Sequence, residues 1–133
     1  MIFKNFELNK INLKKNKFIL LYGKNEGFKN QTVENLINKK KSIYNYDEKT
    51  ILDNSNNFFE NLLSKSLFES EKIIIIKRVT DKILEIILNL NEKNINDLIV
   101  ILNSDNLEKK SKLRTYFEKH KEYICVPFYP DNE

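Results

Sequence analysis

A chain of 133 residues that is 41% hydrophobic is long enough for one core and too apolar for a disordered tail. Its net charge of +4 suits an acidic partner, protein or nucleic acid, without identifying one. A single cysteine, Cys125, excludes an internal disulfide framework, and no apolar run is long enough to span a bilayer.

In chain order, the first fifteen residues fit no clear template and read as an ordered approach segment. The opening "MIFKNFELNK" lacks the apolar core and small-residue cleavage site of a signal peptide, so a cytoplasmic location is expected. "KFILLY" (Lys17–Tyr22) reads as a buried strand. Phe28, Val33, Leu36 and Ile37 then follow near helical spacing. "SIYNY" (Ser42–Tyr46) is a weaker strand. Asp53 or Ser55 can cap a helix carrying Phe58, Phe59, Leu62 and Leu63. "KIIIIKR" is the clearest strand, apolar on both faces as a central parallel strand must be. Thr80 can cap a helix with the stripe Ile83, Ile86, Ile87 and Leu90. "DLIVIL" (Asp97–Leu102) is another buried strand, and Ser104 can cap a final helix with Leu113, Tyr116 and Phe117 inward. "YICVPF" (Tyr123–Phe128) closes the set. The alternation predicts one α/β domain over residues 1–133, a parallel five-stranded sheet with helices on both faces.

Ligands of such sheets gather at the carboxyl ends of the strands, so the first strand-to-helix turn is the place to test for phosphate binding. Both glycines, Gly23 and Gly27, lie there in "YGKNEGFKNQ". A working phosphate loop reads G-x-x-x-x-G-K-[ST], with the lysine on the outer phosphates and the hydroxyl on magnesium. Here three residues separate the glycines and Phe28 stands in the lysine's place; Lys29 follows with no Ser or Thr beside it, and Glu26 adds a negative charge. The strand "IIIIKR" ends in Lys77 and Arg78, where magnesium chemistry needs an acid. Asp105 lies beyond Asn103 and Ser104 and reads as the start of the next helix. The fold is therefore expected to be P-loop-NTPase-like with a degenerate phosphate loop, with no cofactor and no metal.

The segment "SKSLFESEKIIIIKR" carries the other signal. On a helix at about 100° per residue, Phe58, Phe59, Leu62 and Leu63 cover an arc roughly 140° wide, Leu67 falls at its margin and Phe68 roughly opposite. Two readings follow. Either the helix stops near Ser64 and both side chains tuck beneath the sheet, or Leu67 and Phe68 stand exposed as an anchor for a partner's pocket, with Lys65, Glu69 and Lys72 as a polar rim.

These residues resemble a family. "FILLYGKNEG", "SKSLFESEKIIIIKR" and "LIVILNSDNLEKKSKLRTYFEK", in that order, are similar to the N-terminal domain of the delta subunit of bacterial DNA polymerase III, the clamp loader's wrench. The resemblance spans about Phe18 to Pro127, and its most specific part is the small-residue–Leu–Phe step before an apolar strand. It implies a clamp-loader ATPase fold that has lost ATP binding, with no ATPase activity. It further implies a domain that docks on the sliding clamp, the beta subunit, and helps open the ring for loading onto primed DNA in replication. Leu67 and Phe68 are then the anchors, flanked by Ser66 and Lys65, and DNA is a partner only indirectly. Relatives often carry an apolar residue at the position of Lys65. The family's intact subunit continues into a lid and a helical collar that joins the other loader subunits, so this chain is expected to be a domain fragment.

Two other classes compete. A small P-loop-type enzyme with a divergent loop needs a base or a magnesium carboxylate. His120, at the end of a lysine-rich helix, reads instead as a solvated or dipole-paired histidine, and Cys125 as a core residue. A basic nucleic-acid-binding module would use "NKKKSIYNY", where Lys39–Lys41 supply charge and Tyr44 and Tyr46 supply stacking faces. The same residues also fit a solvated helix end and one face of a strand.

Overall fold

A parallel strand with neighbours on both sides and helices over both faces has no solvent side, so it needs apolar residues at consecutive positions. The computed structural model, which describes residues 1–4, 7, 11–12, 17–37, 42–69, 71–95 and 97–128, places the chain's three most continuous apolar runs accordingly. These are β1 (Phe18–Gly23), β3 (Lys72–Lys77) and β4 (Leu98–Ser104). With β2 (Ser42–Asp47) and β5 (Tyr123–Phe128) they form one five-stranded sheet in the order β2-β3-β4-β1-β5, every pairing parallel. The weakest strand of the sequence, β2, lies at an edge, where its residues are only half-buried. The other edge, β5, is covered by the chain's start: Ile2 bridges Cys125 in parallel, and the Phe3 N–H donates to the Cys125 carbonyl at 2.9 Å.

Strand alternation sorts the core into two clusters. Phe18, Leu20, Ile74, Ile76, Val100 and Leu102 face α2 (Glu48–Asp53), α3 (Ser55–Ser66), α4 (Leu84–Lys93) and α5 (Lys112–Lys119). Ile19, Leu21, Ile73, Ile75, Ile101 and Ile124 face α1 (Glu26–Leu36), together with Met1, Phe3 and Ile11. The expected stripe Ile83, Ile86, Ile87 and Leu90 is buried, and Thr80 caps its start, accepting from the Lys82 N–H at 3.2 Å.

Three local expectations change. Asn54 caps α3, accepting from the Asn57 N–H at 3.2 Å, because the short helix α2 occupies Asp53 and brings Asn54 to the junction. Ser111 caps α5, accepting from the Arg114 N–H at 3.2 Å. Ser104 is instead the last residue of β4; its hydroxyl donates to the Val79 carbonyl at 2.9 Å, and Asp105 lies exposed in the connection that follows. Tyr116 is only part-buried, whereas Leu113 and Phe117 are fully inward.

The connection leaving β1 passes over one face through α1, and that leaving β4 passes over the other through α5. Where neighbouring strands send their connections to opposite faces, a crevice opens at their carboxyl ends. Here it lies between β1 and β4.

Phe117, fully buried against Tyr123 with ring centroids 5.1 Å apart, ties α5 to the sheet edge. Phe117→Ala is expected to cost about 3–5 kcal/mol, measured by denaturant unfolding.

Candidate functional site

The crevice between β1 and β4 is bridged by Lys29, which reaches from α1 to the end of β4. β1 ends at Gly23 and α1 begins at Glu26, so only Lys24 and Asn25 link them, and Gly27 lies within the helix's first turn. The two glycines do not bracket a loop that wraps a phosphate. Gly23, at φ +121°, is required for another reason: a Cβ there would sit 1.9 Å from the Phe128 carbonyl oxygen of β5. Nothing lies within 4 Å of a Cβ on Gly27. Phe28, in the place of a phosphate-binding lysine, packs edge-on to Phe128 at 5.1 Å.

Lys29 swings inward and is 0% exposed. Its ammonium donates to the Ser104 carbonyl at 2.7 Å and pairs with the Glu26 carboxylate at 2.6 Å. A buried ammonium needs such partners, and here the chain itself supplies them. Beside it an open cleft of about 580 Å³ is lined by Glu26, Lys77, Arg78, Asn103 and Asp105. Its charges are mixed, and Arg78 is committed to Asp47 at 2.6 Å. The buried carboxylate near the end of β3, Glu48, was not singled out from sequence. It accepts from the Thr80 N–H at 2.7 Å and the Thr80 hydroxyl at 2.9 Å, which makes it a structural tie between α2 and the turn after β3.

The second candidate lies at the end of α3. The helix runs through Ser66, past the Ser64 stop that a buried pair requires, and Leu67 caps it. Leu67 is 78% exposed and Phe68 85% exposed, so the arrangement in which both tuck beneath the sheet is ruled out. Leu63, expected inward, is 43% exposed, while Phe58 and Leu62 carry the burial. Leu63 and Leu67 are four residues apart and share a helix face, giving one apolar patch with Phe68 beside it.

The turn is fixed although its side chains are bare. The N–H groups of Phe68 and Glu69 donate to the Lys65 carbonyl at 3.0 and 2.9 Å, and the Leu67 N–H donates to the Ser64 carbonyl at 3.3 Å. The Ser66 hydroxyl donates back to the Leu63 carbonyl at 2.7 Å. Of the expected rim, Lys65 lies with its ammonium 4.7 Å from the centroid of the Tyr44 ring, and Lys72 is buried, donating to the Glu69 carbonyl at 3.2 Å. Glu69 accepts the Tyr44 hydroxyl, and that bond pushes the phenol's pKa up to about 12. Tyr44 and Glu69 lie 25 residues apart in sequence, and only the placement of β2 beside β3 brings them together.

The architecture matches a solved structure. The DNA clamp loader delta protein of Bacillus subtilis superposes with a TM-score of 0.59 at 15% identity, over 96% of this chain and 43% of that one. The fold is clamp-loader-like. This chain thus spans less than half the length of that protein. No family model matches the chain, and no curated protein matches it.

The remaining candidates have structural tasks. His120 stacks on Tyr123 at 4.0 Å and accepts the Glu122 N–H on Nδ1 at 3.1 Å. Cys125 is fully buried, and burial pushes its thiol up to about 12, far from a reactive thiolate. Tyr46 packs edge-on against Phe58 at 5.1 Å, and Tyr44 bonds Glu69 through its hydroxyl and carries the Lys65 ammonium over its ring. Lys39–Lys41 lie outside the described residues. Among the described residues no helix is long and apolar enough to cross a membrane, and no cluster of His, Cys, Asp or Glu is suited to a metal.

With Lys29 bonded internally, titration with magnesium-ATP is expected to give no saturable binding. Lys29→Met, which leaves the Ser104 carbonyl without its donor, is expected to lower stability by about 1–3 kcal/mol. Saturable ATP binding that Lys29→Met abolishes would instead assign the lysine to phosphate.

Proposed function

We propose that this domain binds a sliding clamp through the Leu67–Phe68 step and contributes to opening the ring for loading onto DNA, without itself binding or hydrolysing ATP. The observation that carries this reading is the pair's exposure on a pinned turn. A folded domain gains nothing by leaving side by side the two most exposed large apolar side chains among the described residues, whereas a partner's apolar cavity gains by receiving them. The similarity of the chain's motifs to the delta subunit of bacterial DNA polymerase III selects the clamp as that partner, and the clamp-loader-like fold is consistent with it.

Anchoring and rim roles separate on this surface. Burying Leu and Phe contributes about 1.5–3 kcal/mol each, roughly 3–6 kcal/mol together, short of the 8 or so of a micromolar complex. Leu63 extends the apolar patch toward the body of α3 and supplies the third apolar position, since the side chain of Lys65 is directed to Tyr44. Ser66 keeps its hydroxyl on the helix, so no polar group competes for water inside the cavity. Any further subunit contacts of a loader belong to a lid and collar of the kind the resemblance implies. Ring opening follows by population shift, since a ligand that fits the sprung ring better than the closed one favours it in proportion to the difference in affinity.

Phe68→Ala is expected to weaken binding to the cognate clamp by about 10- to 100-fold, and Leu67→Ala with Phe68→Ala to abolish it in a pull-down. The melting temperature is expected to stay nearly unchanged, because both side chains are solvent-exposed. Native-like clamp binding by the double variant, or a large loss of stability, would reject this role for the pair.

A further inference from the structure

We infer that Tyr44 and Glu69 form a brace that presets the Leu67–Phe68 turn for docking; this rests on the clamp-binding reading above. Side chains as exposed as Leu67 and Phe68 cannot be held in place by their own packing, so the orientation of the turn has to come from its backbone and polar neighbours. A helix C-terminus frays by default, because its last carbonyls lack partners within the helix. Here the Glu69 side chain accepts the Tyr44 hydroxyl immediately after the exposed pair. Two residues before the pair, the Lys65 ammonium lies over the same tyrosine's ring. One side chain therefore grips the turn on both sides of its apolar residues.

The far end of the grip is a strand of the sheet. Tyr44 lies in the middle of β2, in register with Ile74 of β3, so the brace transmits the position of the sheet to the turn. The backbone completes it, with the Phe68 and Glu69 N–H groups on the Lys65 carbonyl and the buried Lys72 on the Glu69 carbonyl. A partner that meets an ordered turn does not have to order it on binding, and that saving appears as affinity without any contact between Tyr44 and the partner. Tyr44 and Glu69 are positioning residues, distinct from the anchors.

The test compares Tyr44→Phe, Glu69→Ala, Glu69→Gln, the double variant Tyr44→Phe with Glu69→Ala, and Phe68→Ala, each titrated against the cognate sliding clamp. Backbone amide order parameters are recorded for Phe68 and Glu69 in the free protein. Tyr44→Phe and Glu69→Ala are each expected to weaken binding about three- to tenfold, the loss of one modest hydrogen bond. The double variant is expected to lose no more than the weaker single one, since the two residues act as a unit. Glu69→Gln, which keeps an acceptor, is expected to retain most of the affinity. The Phe68 amide is expected to fall from the rigid range near about 0.85 toward about 0.6 in the weakened variants, at an unchanged melting temperature. Native affinity for Tyr44→Phe beside lost affinity for Phe68→Ala would overturn the brace and leave the docking role standing. Native affinity for Phe68→Ala would overturn both, and fully additive losses in the double variant would overturn the brace alone.

Discussion

Lys29 places an ammonium, sealed from water, at the point where connections leaving neighbouring strands part to opposite faces of the sheet. In a parallel α/β fold that point is the natural seat of a ligand. Satisfying the ammonium there with the Ser104 carbonyl and the Glu26 carboxylate joins the end of β4 to the start of α1. The rest of the loop is consistent with that choice. Gly23 lets the chain pass against β5, Phe28 packs on Phe128, and only Lys24 and Asn25 link strand and helix. At this ligand seat of the fold the chain holds a buried lysine with groups of its own.

At the end of α3 the reverse holds: backbone groups of the turn are hydrogen-bonded and its large apolar side chains are exposed. The bonds from the Leu67, Phe68 and Glu69 N–H groups and from the Ser66 hydroxyl fix the backbone and leave the Leu67 and Phe68 side chains bare. Such a surface gains on association because the apolar area is lost from water while few polar groups have to be stripped of partners. The Lys65 ammonium lies over the Tyr44 ring, and Leu63, one helical turn before Leu67, supplies neighbouring apolar surface.

Much of this was legible in the sequence, for identifiable reasons. All five strands and four helices were anticipated, because β1, β3 and β4 are apolar at consecutive positions and the stripe from Ile83 to Leu90 keeps helical period. Helix starts were less legible: Asp53, Asn54 and Ser55 are all capable caps, as are Ser104 and Ser111, and side-chain preference separates them by tenths of a kcal/mol at most. The helix α2 spans less than two turns and shows no period. At the candidate site, periodicity put Phe68 away from the core but drew the inward arc too wide, so that it took in Leu63. The Tyr44–Glu69 bond was invisible because it depends on the pairing of β2 with β3. The burial of Lys29 was invisible because a charged residue carries no pattern signal for the interior.

The strand order has a consequence for how the molecule comes into being. β1 is made first, yet both of its neighbours, β4 and β5, lie in the last third of the chain. As residues emerge during synthesis, β2, β3 and β4 can zip together while "FILLY" still waits without a ladder partner, its amides unpaired and its apolar side chains wet. Closure at the centre of the sheet is therefore deferred until about a hundred residues have been joined, the kind of long-range pairing that slows folding and calls for chaperone protection.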